Sequence, residues 1–165
     1  MKNNGFTLIE TILYAGLFSL IIGFSILIVY QVLSSEAQNR SRRDVETEAD
    51  FLMKKITWAL NSGQNVSSPA TGEISSVLTL NKYGFSNNPI SFDVSGGTAR
   101  MREGGGQYVP ITNENVTVNN LVFLHSAAAG SIPESVQISF SVVASTSETI
   151  IKASTSLENK VYLPQ

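Results

Sequence analysis

Residues 5–33 read GFTLIETILYAGLFSLIIGFSILIVYQVL, a motif followed by a long apolar run. Residues 11–33 contain no Asp, Glu, Lys or Arg, and as an α-helix they would extend about 35 Å. Because a bilayer hydrocarbon core is about 30 Å thick, a tilted membrane-spanning helix fits this segment. A cleaved secretory signal would have an apolar run of roughly 7 to 15 residues followed by small residues at the cleavage site. The run is longer here and its exit, QVLSSEAQNR, lacks such a site, so the stretch predicts either a plain signal anchor or a more specialised membrane helix.

The composition of the chain limits its chemistry. With 165 residues, it has room for one compact domain and an appendage. Lys and Arg number 11 against 13 Asp and Glu, so the chain has no overall basic field for a nucleic-acid backbone. The basic run RSRR, residues 40–43, is followed at once by acidic residues, which favours a solvated helix face over a nucleic-acid or anionic-lipid patch. No nucleic-acid partner is predicted, and the absence of Cys excludes disulfides, thiolate metal sites and cysteine nucleophiles.

The residues before the apolar run form a specific motif. The hexapeptide GFTLIE, residues 5–10, resembles the cleavage and methylation motif of type IV prepilins and type II secretion pseudopilins. In that motif Gly precedes the cut, Phe follows it, and Glu is the fifth residue of the mature chain. The resemblance implies that a membrane-bound prepilin peptidase cuts between Gly5 and Phe6 on the cytoplasmic side and methylates the new Phe6 amine. Because Gly5 has no side chain, its carbonyl is open to the catalytic groups of a protease.

Glu10 places a carboxylate at the edge of the bilayer or within it. An acidic side chain near the centre of a membrane helix costs about 2.5–3.5 kcal/mol, so it needs a partner. The resemblance implies that Glu10 pairs with the Phe6 amine of a neighbouring subunit in a filament of parallel, staggered helices. The alternative is that Glu10 only marks the membrane interface.

The orientation of the membrane helix has two opposing indications. Lys2 precedes the apolar run, whereas Arg40, Arg42 and Arg43 follow it. The positive-inside rule alone would therefore leave the C-terminal part in the cytoplasm. The prepilin motif implies the opposite, a single-pass chain with a cytoplasmic N-terminus, and this is the orientation that we predict.

Small residues recur along one face of the apolar run. Ala15, Ser19 and Gly23 follow each other at intervals of four, a spacing that lets helices approach closely. This spacing predicts lateral packing between subunits, although small residues also occur by chance in membrane helices. Many major pilins carry a helix-kinking Pro at the position of Leu27, and the resemblance does not extend to that kink.

The helix is predicted to continue beyond the membrane. Neither Gly nor Pro interrupts residues 24–62, and after the apolar run one stripe of apolar residues recurs at steps of three and four. The stripe consists of Val45, Ala49, Leu52, Ile56 and Ala59. The pattern predicts an amphipathic extension that ends near Asn61, with Gly63 as a left-handed cap.

From residue 63 onward, the sequence is typical of antiparallel strands. Apolar residues alternate with polar ones at Val136, Ile138, Phe140 and Val142, as in a strand with one buried face. Gly96 and Gly97 predict a hairpin turn, and residues 104–106 predict a flexible hairpin loop rather than a phosphate loop, because no GK[ST] follows. Further short strands are predicted at residues 76–80, 90–94, 121–124 and 149–153. The predicted fold class is therefore α+β, a long helix packed on an antiparallel β-sheet domain, and the order of segments resembles the J-class minor pseudopilins and related minor pilins.

The sequence predicts no enzyme, cofactor or metal site. His125 is the single histidine and has no carboxylate close to it in sequence, which favours a structural or exposed residue over a catalytic one. Asp93, Glu103 and Glu114 would have to meet in space to bind calcium, and they lack ligand spacing. Trp58 is expected to pack against the sheet.

Together these patterns predict a leader at residues 1–5, a transmembrane and assembly segment at 6–33, an amphipathic extension at 34–62 and a β domain at 63–165. The predicted function is that of a minor pilin or pseudopilin in a type IV pilus-like or type II secretion filament, in initiation or at the tip. A membrane-anchored tip adhesin or DNA-uptake module is the alternative. The expected partners are prepilin peptidase, other pilin or pseudopilin subunits, the inner-membrane assembly platform and the lipid bilayer. The expected location is the cytoplasmic membrane and then an extracytoplasmic filament.

Overall fold

A computed structural model describes residues 7–145 and 153–164. The described chain consists of one long helix followed by strands that form two antiparallel sheets, which is the predicted α+β class. The helix, α1, runs from Leu8–Leu60. The strands of the described residues are β1 (Gly63–Ser68), β2 (Ile74–Ser75), β3 (Leu78–Lys82), β4 (Ile90–Ser95), β5 (Thr98–Glu103), β6 (Val109–Pro110), β7 (Val116–Ser126), β8 (Ser135–Ala144) and β9 (Ser154–Tyr162).

The chain divides into two compact units, one that ends at Asn39 and one that begins at Arg40. In the first unit, the helix residues are exposed almost throughout, and its apolar part is long enough to cross a membrane by length and composition. In the second unit, burial on the helix begins at Ser41. The two units therefore contain different kinds of helix surface, the first apolar and exposed and the second amphipathic.

The core of the second unit is built by the predicted helical stripe and both sheets. Val45, Ala49, Leu52, Ile56 and Ala59 are each at most 1% exposed, which confirms that these positions form one buried face. They belong to a single apolar cluster with residues such as Phe92 of β4, Phe123 of β7 and Ile138 of β8. Burying a Leu or Ile side chain contributes about 1.5–3 kcal/mol, so this stripe is what holds residues 40–60 on the strands.

The strands form two separate sheets. The five-stranded sheet has the order β1-β3-β4-β5-β6, and the four-stranded sheet has the order β2-β7-β8-β9. Alternation along a strand predicts that one face is buried, but it carries no information on which strands pair. The division into two sheets was therefore not contained in the sequence prediction.

The two glycine-rich connections lie where they were predicted. Gly96 and Gly97 join β4 to β5 with φ angles of 59° and 81°, so both central residues of this two-residue turn are left-handed, as the tightest hairpin turns require. A Cβ atom at Gly97 would also lie 2.7 Å from the Thr117 methyl carbon, so a larger residue there would force one of the two to shift. Residues 104–106 lie between β5 and β6, as expected for a hairpin loop.

The predicted left-handed cap at Gly63 is wrong. Gly63 is not among the glycines with positive φ; it opens β1, and a Cβ atom there would lie 3.0 Å from the Leu60 carbonyl oxygen. The helix end is closed in another way, because the Lys82 ammonium group donates a hydrogen bond to the Trp58 carbonyl oxygen at 2.8 Å. A cation at this position also interacts favourably with the negative end of the helix dipole.

Candidate functional site

The start of α1 is fixed by a residue that the sequence analysis did not single out. The Thr7 hydroxyl accepts a hydrogen bond from the Glu10 backbone N–H at 3.4 Å, and the Thr7 carbonyl accepts one from the Thr11 N–H at 3.2 Å. Thr7 is thus the N-cap, and Glu10 is the third residue of the helix. This T-x-x-E spacing is the capping-box pattern, in which an acidic residue in the first turn also stabilises the positive helix end. The Thr7 half of the capping box is formed, and the Glu10 carboxylate lies in the first turn, where the helix dipole favours a negative charge.

The predicted processing site lies outside the described residues. Gly5 and Phe6, assigned to cleavage and methylation, precede Thr7, the first described residue. Both assignments therefore stay predictions. Glu10 lies in the first turn of α1 and is half-buried.

The predicted packing face on the helix is exposed in the single chain. Ala15, Ser19 and Gly23 are all exposed, and a Cβ atom at Gly23 would meet no atom within 4 Å. The Ser19 hydroxyl donates to the Ala15 carbonyl at 2.8 Å, and the Ser25 hydroxyl donates to the Ile21 carbonyl at the same distance. Because these hydroxyl groups are satisfied within the helix, they leave no unpaired donor on a surface that lipid or another helix would cover.

His125 is buried and connects three segments of the second unit. It is 2% exposed; its Nδ1 lies 2.9 Å from the Pro69 carbonyl oxygen, and its Nε2 lies 2.5 Å from Oε1 of Glu134. Its backbone carbonyl also accepts a hydrogen bond from the Gly72 N–H at 2.7 Å. These contacts join the end of β7 to the segment before β2 and to the segment before β8. His125 therefore does have a carboxylate partner, Glu134, which lies nine positions further along the sequence. Because the histidine is buried and both ring nitrogens contact other segments, it links those segments structurally.

Asp93, one of the three acidic residues considered for calcium, is paired with an arginine. The Asp93 carboxylate accepts two hydrogen bonds from the Arg100 guanidinium, at 2.9 Å and 2.7 Å. These hydrogen bonds, with the charge of Asp93, raise the pKa of Arg100 above its ordinary value and keep it cationic. Across the described parts of the chain, no three His, Asp or Glu side chains are grouped to hold a metal ion.

Trp58 lies at the surface rather than in the core. It is 40% exposed, and its ring meets the Phe85 ring edge-on with centroids 5.9 Å apart. The ammonium groups of Lys55 and Lys82 lie 5.0 Å and 4.5 Å from the centroid of the indole ring. Trp58 therefore packs at the margin of the five-stranded sheet, against Lys82 at the end of β3 and Phe85 just beyond it, while the helical stripe fills the core.

Comparison with models of known protein families, with curated proteins and with solved structures found no match. The function is therefore inferred from the N-terminal motif and from the geometry described above.

Proposed function

We propose that this chain is a minor pilin or pseudopilin subunit. In this proposal, prepilin peptidase cuts between Gly5 and Phe6 and methylates the Phe6 amine. The mature chain then enters a type IV pilus-like or type II secretion filament, during initiation or at the tip. The observation that carries the proposal is the order of features in one sequence: the GFTLIE motif, then the apolar run at the start of a long helix, then an amphipathic helix segment on a β domain.

The exposed surface of the first unit supports a membrane and assembly role. Large apolar side chains there stay exposed in the single chain, for example Ile12, Phe18, Phe24 and Tyr30. A contiguous apolar surface of this kind needs a cover, which is either a bilayer or other helices. In the proposal both covers are used in turn, first the cytoplasmic membrane with the N-terminus inside, and then neighbouring subunits of the extracytoplasmic filament.

The position of Glu10 supports pairing between subunits. Removal of the leader would create a cationic amine at Phe6, at the start of an apolar helix. Two unit charges about 4 Å apart attract each other by about 4 kcal/mol at an effective dielectric constant of 20. This attraction would offset part of the cost of placing the two charges in the membrane, which is about 2.5–3.5 kcal/mol for the acidic side chain alone. Pairing of Glu10 with the amine of a neighbour would therefore favour subunit entry into a helical bundle over an isolated subunit in lipid.

The partners of the proposed function follow from its steps. Prepilin peptidase would act first, the lipid bilayer would hold the precursor, and the inner-membrane assembly platform would deliver the subunit to other pilin or pseudopilin subunits. The proposal includes no catalytic activity and no cofactor.

Substitution of Gly5 tests the processing step. Gly5→Val, expressed in cells that contain prepilin peptidase, is expected to keep its leader, because a branched side chain next to the scissile carbonyl obstructs the protease. Intact mass measurement of the membrane fraction separates the precursor from the mature chain. Gly16→Val is the matched control, because a Cβ atom at Gly16 would meet no atom within 4 Å, and it should be processed normally. Normal processing of Gly5→Val would contradict the assignment of the motif.

A further inference from the structure

Two arginines with different hydrogen-bond partners lie on the outer face of the five-stranded sheet. In the register of β4 and β5, Arg100 lies opposite Asp93 and Arg102 lies opposite Ser91. The two arginines are two residues apart on β5, so they share one face of the sheet. Ala99, the β5 residue next to Arg100, is buried in the core cluster, which places the two arginines on the opposite face of the strand.

Among residues 7–145 and 153–164, an acidic partner is seen for Arg100 and not for Arg102. Arg100 and Asp93 form a bidentate ion pair, with side chains that are 30% and 16% exposed. The hydrogen bonding of Arg102 is confined to one long contact, from Nη2 to the Ser91 hydroxyl oxygen at 3.5 Å, and its Nε is buried without a hydrogen-bond partner among the described residues. Arg100, Arg102 and Asp93 together therefore carry one net positive charge.

Both guanidinium groups lie against the ring of Tyr108. The central guanidinium carbons of Arg100 and Arg102 lie 4.7 Å and 4.8 Å from the centroid of the Tyr108 ring. An arginine placed over an aromatic ring keeps its edge available for hydrogen bonding and loses less conformational entropy when it binds a ligand. The terminal nitrogens of Arg102 are thus oriented before any ligand arrives.

We infer that Arg102 is the binding position for a carboxylate, supplied by an acidic side chain of a partner protein. The neighbouring pair of Arg100 and Asp93 is an example of this interaction, because the Arg100 guanidinium donates two hydrogen bonds to the Asp93 carboxylate. One carboxylate at Arg102 would balance the remaining charge, and the terminal nitrogens are the donors free to receive it. The inference concerns residues of the β domain and does not depend on leader removal at Gly5.

The test uses acetate as the carboxylate probe. The full chain in detergent micelles, labelled with ¹⁵N in its arginine side chains and ¹³C in its tyrosine rings, is titrated with sodium acetate and, separately, with sodium chloride at matched ionic strength. Acetate is expected to shift the Arg102 Nε–Hε signal and the Tyr108 ring signals along a saturable curve, and chloride is not. Exposed Arg43, on the helix, provides the internal comparison and should show no saturable shift.

Three variants distinguish a specific site from general attraction to charge. Arg102→Lys keeps the charge but lacks the planar fork, so acetate should bind about tenfold more weakly, as expected when one hydrogen bond to a charged group is lost. Arg102→Gln should abolish the saturable shift at Tyr108, and Arg43→Gln should leave it unchanged. Fluorescence of Trp58 checks that each variant stays folded. Equal responses to acetate and chloride, or a saturable response that survives in folded Arg102→Gln, would overturn the inference.

Discussion

Replacing His125 with Ala should destabilise the second unit by about 3 kcal/mol. The Pro69 carbonyl belongs to a buried residue, and removing its donor leaves it without a partner, which costs about 1–3 kcal/mol. The contact with Glu134 contributes about 1 kcal/mol, at the lower end for a charged partner, because that carboxylate is 43% exposed and is screened by solvent. The link to Pro69 is thus the larger part of the effect.

Urea unfolding of the full chain in detergent micelles measures this effect. The single tryptophan, Trp58, lies in the second unit, so its fluorescence reports on the unfolding of the strands and of the helix packed on them. His125→Ala should lower the free energy of unfolding by about 3 kcal/mol, and Glu134→Gln by about 1 kcal/mol. Glu158→Gln is the matched control, since Glu158 accepts a hydrogen bond from a glutamine side chain at the surface, and its change should stay below about 0.5 kcal/mol.

A His125→Ala variant that loses less than about 1 kcal/mol, the net value of one ordinary hydrogen bond, would show that His125 is not the link described above. A loss in Glu134→Gln as large as that in His125→Ala would refute the assignment of the larger share to the buried Pro69 carbonyl.

Three further predictions concern the core, a turn and the helix start. Ile56→Ala should cost about 2–5 kcal/mol in the same urea assay, because this fully buried side chain would leave a cavity, whereas exposed Lys54→Ala should change little; equal effects would contradict the stripe. Gly97→Ala should cost about 2 kcal/mol, since its φ of 81° is strained for alanine and a methyl group would clash with a threonine on β7; an unchanged urea midpoint would contradict this. Glu10→Ala should leave membrane insertion intact but reduce the amount of subunit in sheared filaments, measured by immunoblot, while Glu36→Ala should not; wild-type amounts in Glu10→Ala filaments would contradict pairing between subunits.

The helix was predictable because its signals are local. The apolar run and the stripe from Val45 to Ala59 are patterns of neighbouring residues, and burial follows them position by position. The end of the helix was only half predictable. Gly63 has the residue type of a left-handed cap, but the cap is Lys82, a residue 24 positions from Trp58 that the fold brings to the helix end.

The strands differed in how clearly the sequence marked them. β8 has strict alternation and was predicted, and β3 begins two residues after its predicted start at residue 76. β1 was not predicted, because Val66 is its one buried apolar side chain and no alternation is visible. Most of the predicted strand at residues 149–153 lies outside the described residues.

The chemistry of the helix start was partly predictable from the sequence, and that of the β domain was not. Thr7 and Glu10 have the spacing of a capping box, a signal present in the sequence although only Glu10 was singled out. The approach of Glu134 to His125 and of Arg102 to Tyr108 depends on strand register and loop path. The spacing of these residues along the sequence therefore does not predict the contacts.

The central claim is that residues 1–5 are a leader removed by prepilin peptidase. The most direct measurement is intact mass analysis of the native chain, purified from membranes of cells that contain the peptidase, with the N-terminal peptide sequenced by tandem mass spectrometry. If the leader is removed in this way, the chain begins at Phe6 and carries one methyl group on its amine. A chain that still begins with its first five residues, or one cut beyond the apolar run, would contradict it.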